Sequence, residues 1–205
     1  NRENRSFREL PGQFVQLIRD SVTTLHTTPL AAKLIVSAAV ISIPSYLTKM
    51  FVQQRLVELG WPTALLFLPL LLSGLASMLG IEVARRLHPK SLRRFYIVCA
   101  LLCGSGCFLV GVAPAGGSIL GCMLVNGILD IYLLHESQKL NDIIPSDQRA
   151  TLISVDSMAY SLLMIPASPL VGAVGDFFGQ AGAGLAVLGV LVAVSGAAAL
   201  CKNRR

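Results

Sequence analysis

Six apolar runs, each near the length of a bilayer crossing and separated by short breaks, constrain this chain more than any other feature. They cover about 31–53, 62–84, 94–113, 116–138, 150–174 and 180–201. A spanning helix needs roughly 20 predominantly apolar residues, and short connections suit antiparallel neighbours. The composition agrees: 54% of residues are hydrophobic, 14% are charged and the mean hydropathy is +0.67. A soluble domain averages about 25% charged residues, so this chain has too little polar surface for a water-facing globule. The expected fold class is an all-α membrane protein with six transmembrane helices over 29–205, preceded by a linker over 1–28.

Within the linker, Phe14, Leu17, Ile18, Val22 and Leu25 recur at helical spacing opposite Gln13, Gln16, Arg19, Asp20 and Thr23. That pattern predicts an amphipathic helix lying on the membrane surface or packed on a neighbouring domain. The first ten residues, NRENRSFREL, carry no apolar core and are not a signal peptide. They read as the interior of a longer chain or as a linker.

The net charge of +6 does not point to nucleic acid, because the cations sit at the ends of apolar runs rather than on one soluble face. Fifteen of the seventeen basic residues fall before or at the start of the first run, after the second, around the loop after the fourth, or after the sixth. Lys49 and Arg55 approach the other side. The positive-inside rule then predicts cytoplasmic termini and cytoplasmic loops at 85–93 and 139–149. An even number of spans requires the same.

Several features mark the interior of the spans. Lys33 and Lys49 bracket a short uncharged core in the first span, so Lys33 is expected to snorkel and Lys49, Gln53 and Gln54 to meet a wet cavity or headgroups. Pro44, Pro69, Pro166 and Pro169 fall inside runs, where proline kinks a helix. Gly116-Gly117 and Gly179 are expected to mark tight turns between spans. Asp130 and Asp156 each lie roughly 10–14 Å in from the same surface, at 1.5 Å per residue. Two carboxylates brought together there resist ionising at once, which suits a proton-accepting site; a solvated vestibule or a gate between helices is the plainer reading. His135 and Glu136 extend the same patch. With Asn126, Tyr132, Ser154 and Tyr160, and with Tyr46, Lys49 and Gln53 on the first span, these residues place a polar pathway along the first, fourth and fifth spans.

The other motifs point to packing. Cys99, Cys103 and Cys107 form a helical stripe with no His or carboxylate beside them, as small packing residues do, rather than as zinc ligands. Gly104-Ser105-Gly106 has Cys103 where an intramembrane serine protease would need glycine. No phosphate loop or nucleotide motif is present, and neither a cofactor nor a metal is expected.

The stretch Asn141-x-x-x-Pro145-x-x-x-Arg149-Ala150-Thr151-x-x-Ser154 resembles the loop and start of the eleventh helix in major facilitator superfamily transporters. Pro169-x-x-Gly172-x-x-x-Asp176-x-x-Gly179 resembles the outer end of that helix and its turn into the twelfth. Arg85-Arg86 after Gly80 is similar to the basic loop between helices eight and nine. The resemblance covers all six runs in order, with the linker ahead of helix seven. It implies the C-terminal half of a twelve-helix secondary transporter of drug-efflux or small-solute type, in a bacterial inner (plasma) membrane. The implied partners are the bilayer, the missing N-terminal six-helix half, a small-molecule substrate and protons. The implied roles are a cytoplasmic gate at Asn141, Arg149, Ser154, Arg85 and Arg86, an outer turn at Gly172, Asp176 and Gly179, and coupling or pathway residues among Asp130, Asp156, Lys49, Gln53, Asn126 and Tyr160. A non-transporting six-span scaffold or sensor is the alternative.

Overall fold

The computed structural model describes residues 29–143 and 149–201, and all regular structure among them is helical. Six long helices follow in order: α1 Pro29–Glu58, α2 Phe67–Arg86, α3 Leu92–Val112, α4 Ala115–Ile143, α5 Arg149–Phe178 and α6 Ala181–Cys201. Each is long and apolar enough to cross a bilayer, and the chain is an integral membrane protein by that measure. The amphipathic helix expected within 1–28, and Pro145, lie outside the described residues.

Helix ends differ from the sequence expectation for local reasons. The second run does not enter helix at Trp61-Pro62; a 3-10 turn at Thr63–Leu65 comes first and α2 begins at Phe67. Pro69 therefore sits in the first turn of α2, where the missing N–H costs nothing, and it is not the interior kink the sequence predicts. Gly116-Gly117 is not a turn either. The break falls at Ala113-Pro114, where Ala113 is extended at φ −79°, ψ 161° because the following proline ring disfavours the helical region. The two glycines lie in the first turn of α4, and Ser118 Oγ bridges the corner by donating to Ala113 O (3.1 Å) and Val110 O (3.2 Å). Asn141, expected in a loop, is helical, because α4 runs on to Ile143. Leu140 and Ile143 there pack against the buried cluster of Ala31, Ile35 and Val155.

The helices alternate in direction. Ser37 meets Tyr132 and Ser45 meets Asn126, so α1 and α4 are antiparallel. Gly104 faces Gly189, Gly111 faces Gly182 and Gly196 faces Ile97, a seven-residue antiparallel register along α3 and α6. A Cβ added at Gly104 would come 2.6 Å from the Gly189 carbonyl oxygen: the seam closes backbone to backbone. Such contact is how membrane helices gain packing where lipid supplies no hydrophobic drive. Cys103 and Cys107 are buried beside this seam, their thiols directed at Val125 O and Leu185 O.

Alternation defines two ends. Lys33, Arg85, Arg86, Lys90, Arg93, Arg94 and Lys139 gather at one, the basic end. The opposite end is latched by α1, which runs past the expected limit to Glu58. The Glu58 carboxylate accepts the Ala181 backbone N–H at 3.0 and 3.1 Å, capping α6 from another helix. Arg55, 8% exposed, pairs with Glu58 at 3.6 Å and donates to Gln180 Oε1 at 3.4 Å.

Candidate functional site

The helices fall into two lengths. α1, α4 and α5 have 30, 29 and 30 residues, whereas α2, α3 and α6 have 20, 21 and 21. The three long ones enclose a cleft of about 410 Å³. The α1 wall is built by Ser42, Ser45, Tyr46 and Lys49, which share one face at three- and four-residue spacing. Asp156, Ser157, Tyr160 and Ser161 form the α5 wall, and Leu129 and Leu133 form the α4 side. A cation and an anion thus line one concavity between spans. Lys49 is exposed and Asp156 half-buried, so neither is locked in a dry core.

Behind the α1 wall the polar groups are satisfied. Ser45 Oγ donates to Asn126 Oδ1 at 2.7 Å, and Asn126 Nδ2 donates to Cys122 O at 2.7 Å. The Asn126 side chain is 1% exposed, so this pair ties α1 to α4 rather than facing a solute. Ser37 and Tyr132 hydroxyls share a hydrogen bond of 2.6 Å one level nearer the basic end, and Thr48 reaches Cys107 Sγ at 3.7 Å.

Of the pathway residues named from sequence, Lys49, Asp156 and Tyr160 line the cleft together. Gln53 and Asp130 are half-buried and do not line it. The carboxylate within Coulombic reach of Asp156 is Glu136, which is 4% exposed and whose Oε1 has no hydrogen-bond partner. Counting depth along the sequence favoured Asp130 as the neighbour. What such a count misses is rotation: Glu136 falls on the α4 face with Asn126, Leu129 and Leu133, as its ten-, seven- and three-residue offsets require.

At the basic end, Arg86 contacts Glu82 at 2.8 Å and Arg85 contacts the same carboxylate at 3.7 Å. Asn141 is exposed, Ser154 half-buried, and Arg149 opens α5. At the other end α5 closes in a glycine turn. Gly179, at φ +66°, donates to Asp176 O (3.1 Å), and Gln180 donates to Gly175 O (2.9 Å), the two bonds of a Schellman cap. Gly179 acts through its left-handed backbone and Asp176 through its carbonyl, while Gly172 stands two turns away with nothing within 4 Å of an added Cβ. Gly60, at φ +74°, ends α1 in the same way. No family model, curated protein or solved structure matches this chain.

Proposed function

We propose that this chain is one six-helix half of a secondary transporter of the major facilitator type, moving a small solute by alternating access. The observation that carries the reading is the cleft between α1, α4 and α5, in which Lys49 and Asp156 face the same space. Charged side chains within spanning helices are costly and mark solute or ion paths when they meet in a cavity.

The helix arrangement supports it. Exchanging the first three helices with the last three maps the observed contacts largely onto one another. α2 packs on α4 as α5 packs on α1, α3 packs on α4 as α6 packs on α1, and α1–α4 and α3–α6 map to themselves. Three is odd, so the two triplets run in opposite directions, the pattern of inverted repeats around a midplane site. The basic end is cytoplasmic by the positive-inside rule. α2 and α5 bury only 17% and 11% of their apolar windows, leaving broad faces for lipid and for the other half. In this reading Asp156, with Glu136 beside it, carries the coupling proton and Lys49 contacts the solute.

The test uses the full-length protein in proteoliposomes with an imposed pH gradient and ethidium as the probe. Gradient-driven ethidium flux is expected, falling to the protein-free level in Asp156→Asn and persisting in Asp130→Asn. Solute exchange without a gradient should survive Asp156→Asn, and exchange of an organic anion should be lost in Lys49→Gln. Wild-type coupling in Asp156→Asn would remove the carboxylate from the mechanism. Absence of gradient-driven flux across ethidium and a panel of sugars and organic anions would favour a non-transporting scaffold.

A further inference from the structure

A second cleft, of about 550 Å³, opens at the basic end between the last turn of α2, the loop 87–91 and the last turns of α4. Its lining is unlike that of the first. Arg85, His88, Lys90, His135 and Lys139 face it, with Asp142 as the single acidic side chain. Asp142 is already engaged with Lys139 at 4.0 Å. The better-placed partner of Glu82 is Arg86, at 2.8 Å against 3.7 Å for Arg85, and neither Glu82 nor Arg86 lines the cleft. The cations are therefore under-compensated on the cleft side.

Two further observations point into the same space. His135 lines it while held edge-on against Phe95 at 5.1 Å. Leu92, the first residue of α3, also lines the cleft, and the Ser91 N-cap makes no side-chain hydrogen bond to the helix start. The positive N-terminal end of a 21-residue helix thus borders a site that already carries cations. Leu87 on the rim, and Ile81 and Val83 one turn back, are exposed apolar residues, which sets the cleft at the level where hydrocarbon gives way to headgroups.

We propose that this cleft binds a phosphate-bearing anion at the bilayer surface, drawn from a lipid headgroup or from soluble phosphate. Arg85 and Lys90 supply the charge, and the positive end of α3 at Leu92 adds to it. The site is separate from the α1, α4 and α5 cleft and does not depend on the transport reading.

Native mass spectrometry of the full-length protein with phosphatidylglycerol or phosphatidylcholine tests the lipid source, and calorimetric titration of inorganic phosphate into phosphatidylcholine nanodiscs tests the soluble one. Each cation near a headgroup contributes about fivefold to binding, so Arg85→Ala/Lys90→Ala should lower phosphatidylglycerol retention by roughly 30-fold. Arg86→Ala, outside the cleft, and the charge-keeping Arg85→Lys/Lys90→Arg should retain it. If the double variant does not fold, by elution and circular dichroism, Lys90→Ala alone should show about a fivefold loss. Saturable phosphate heat lost in the same variants, with lipid retention unchanged, assigns the soluble source. Equal retention of both lipids in wild type and variants, together with no saturable phosphate heat, overturns the proposal.

Discussion

Replacing Gly189 by alanine isolates what holds α3 to α6. The new Cβ would lie 2.5 Å from the Gly104 carbonyl oxygen and 2.6 Å from the Phe108 backbone nitrogen, roughly 1 Å short of ordinary contact. Both obstacles are backbone, so no side chain can swing away, and the helices must separate along their length. Overpacking of this kind costs about 1–3 kcal/mol. The substitution also improves helix propensity by up to about 1 kcal/mol, a gain that must be subtracted. Gly74→Ala and Gly172→Ala measure that gain, because nothing stands within 4 Å of an added Cβ at either position. In SDS titrations followed by circular dichroism, both controls should be neutral or slightly stabilised, and Gly189→Ala should fall about 2 kcal/mol below them. Adding Gly104→Ala to Gly189→Ala should cost less than the sum, since each Cβ strikes the other glycine's carbonyl and one separation relieves both. Gly104→Ala with Gly80→Ala should be additive, because Gly80 packs on Gly127 of α4 along another seam. Gly189→Ala as stable as Gly74→Ala would refute the backbone-contact account of the bundle.

Two other contacts make separate predictions in the same titration. Glu58→Gln keeps the shape of the α6 cap but removes the charge facing both the Ala181 N–H and the buried Arg55 guanidinium, and should cost about 1–3 kcal/mol. Ser45→Ala takes the donor from Asn126 Oδ1 in a fully buried setting, and should cost about 1–2 kcal/mol; Ser45→Ala/Asn126→Leu, which leaves no orphaned carbonyl, should recover most of it.

The six crossings were legible because their signal is local: a run of about 20 apolar residues announces a spanning helix whatever surrounds it. Ends were less legible where the deciding contact is remote. Hydropathy ends the first run before Glu58, whose partner amide, Ala181, is 123 residues away, although Gly60 marks the true stop. Nothing beside Ile143 shows that Ala31, Ile35 and Val155 continue the packing of α4. Asn141 therefore reads as loop in sequence and is helix in the fold. Pro69 and Gly116-Gly117 were misplaced for the opposite reason. Their own signals are real, but proline in a first turn and glycine in a first turn are both tolerated, and only the start of the helix says which applies.

The placement of α1 carries the broader physical lesson. By sequence it has the shortest uncharged core, between Lys33 and Lys49, and its best window has a hydropathy of 1.7 against 2.2 for α2. In the fold it is the most enclosed, with 56% of that window buried against 17% for α2. In water this order would be reversed, because apolar surface is driven inward. In a bilayer the surroundings are as apolar as leucine and supply no such drive, so the helix with most to lose by facing lipid is the one carrying Ser37, Ser45, Thr48 and Lys49. These side chains find Tyr132, Asn126, Cys107 and the cleft, while the leucines of α2 face outward at no cost. Hydropathy alone does not order the helices, since α3 is 50% buried at a hydropathy of 2.2; for α1 it is the placed polar side chains that set the central position. By the same reasoning α5, with a window hydropathy of 1.5 and only 11% of it buried, is the helix whose present surroundings satisfy it least. Its cleft-lining Ser157 and Ser161 hydroxyls turn back onto their own helix, to Ile153 O and Ser157 O, and in the proposed transporter that exposed polar face is the one the other half covers.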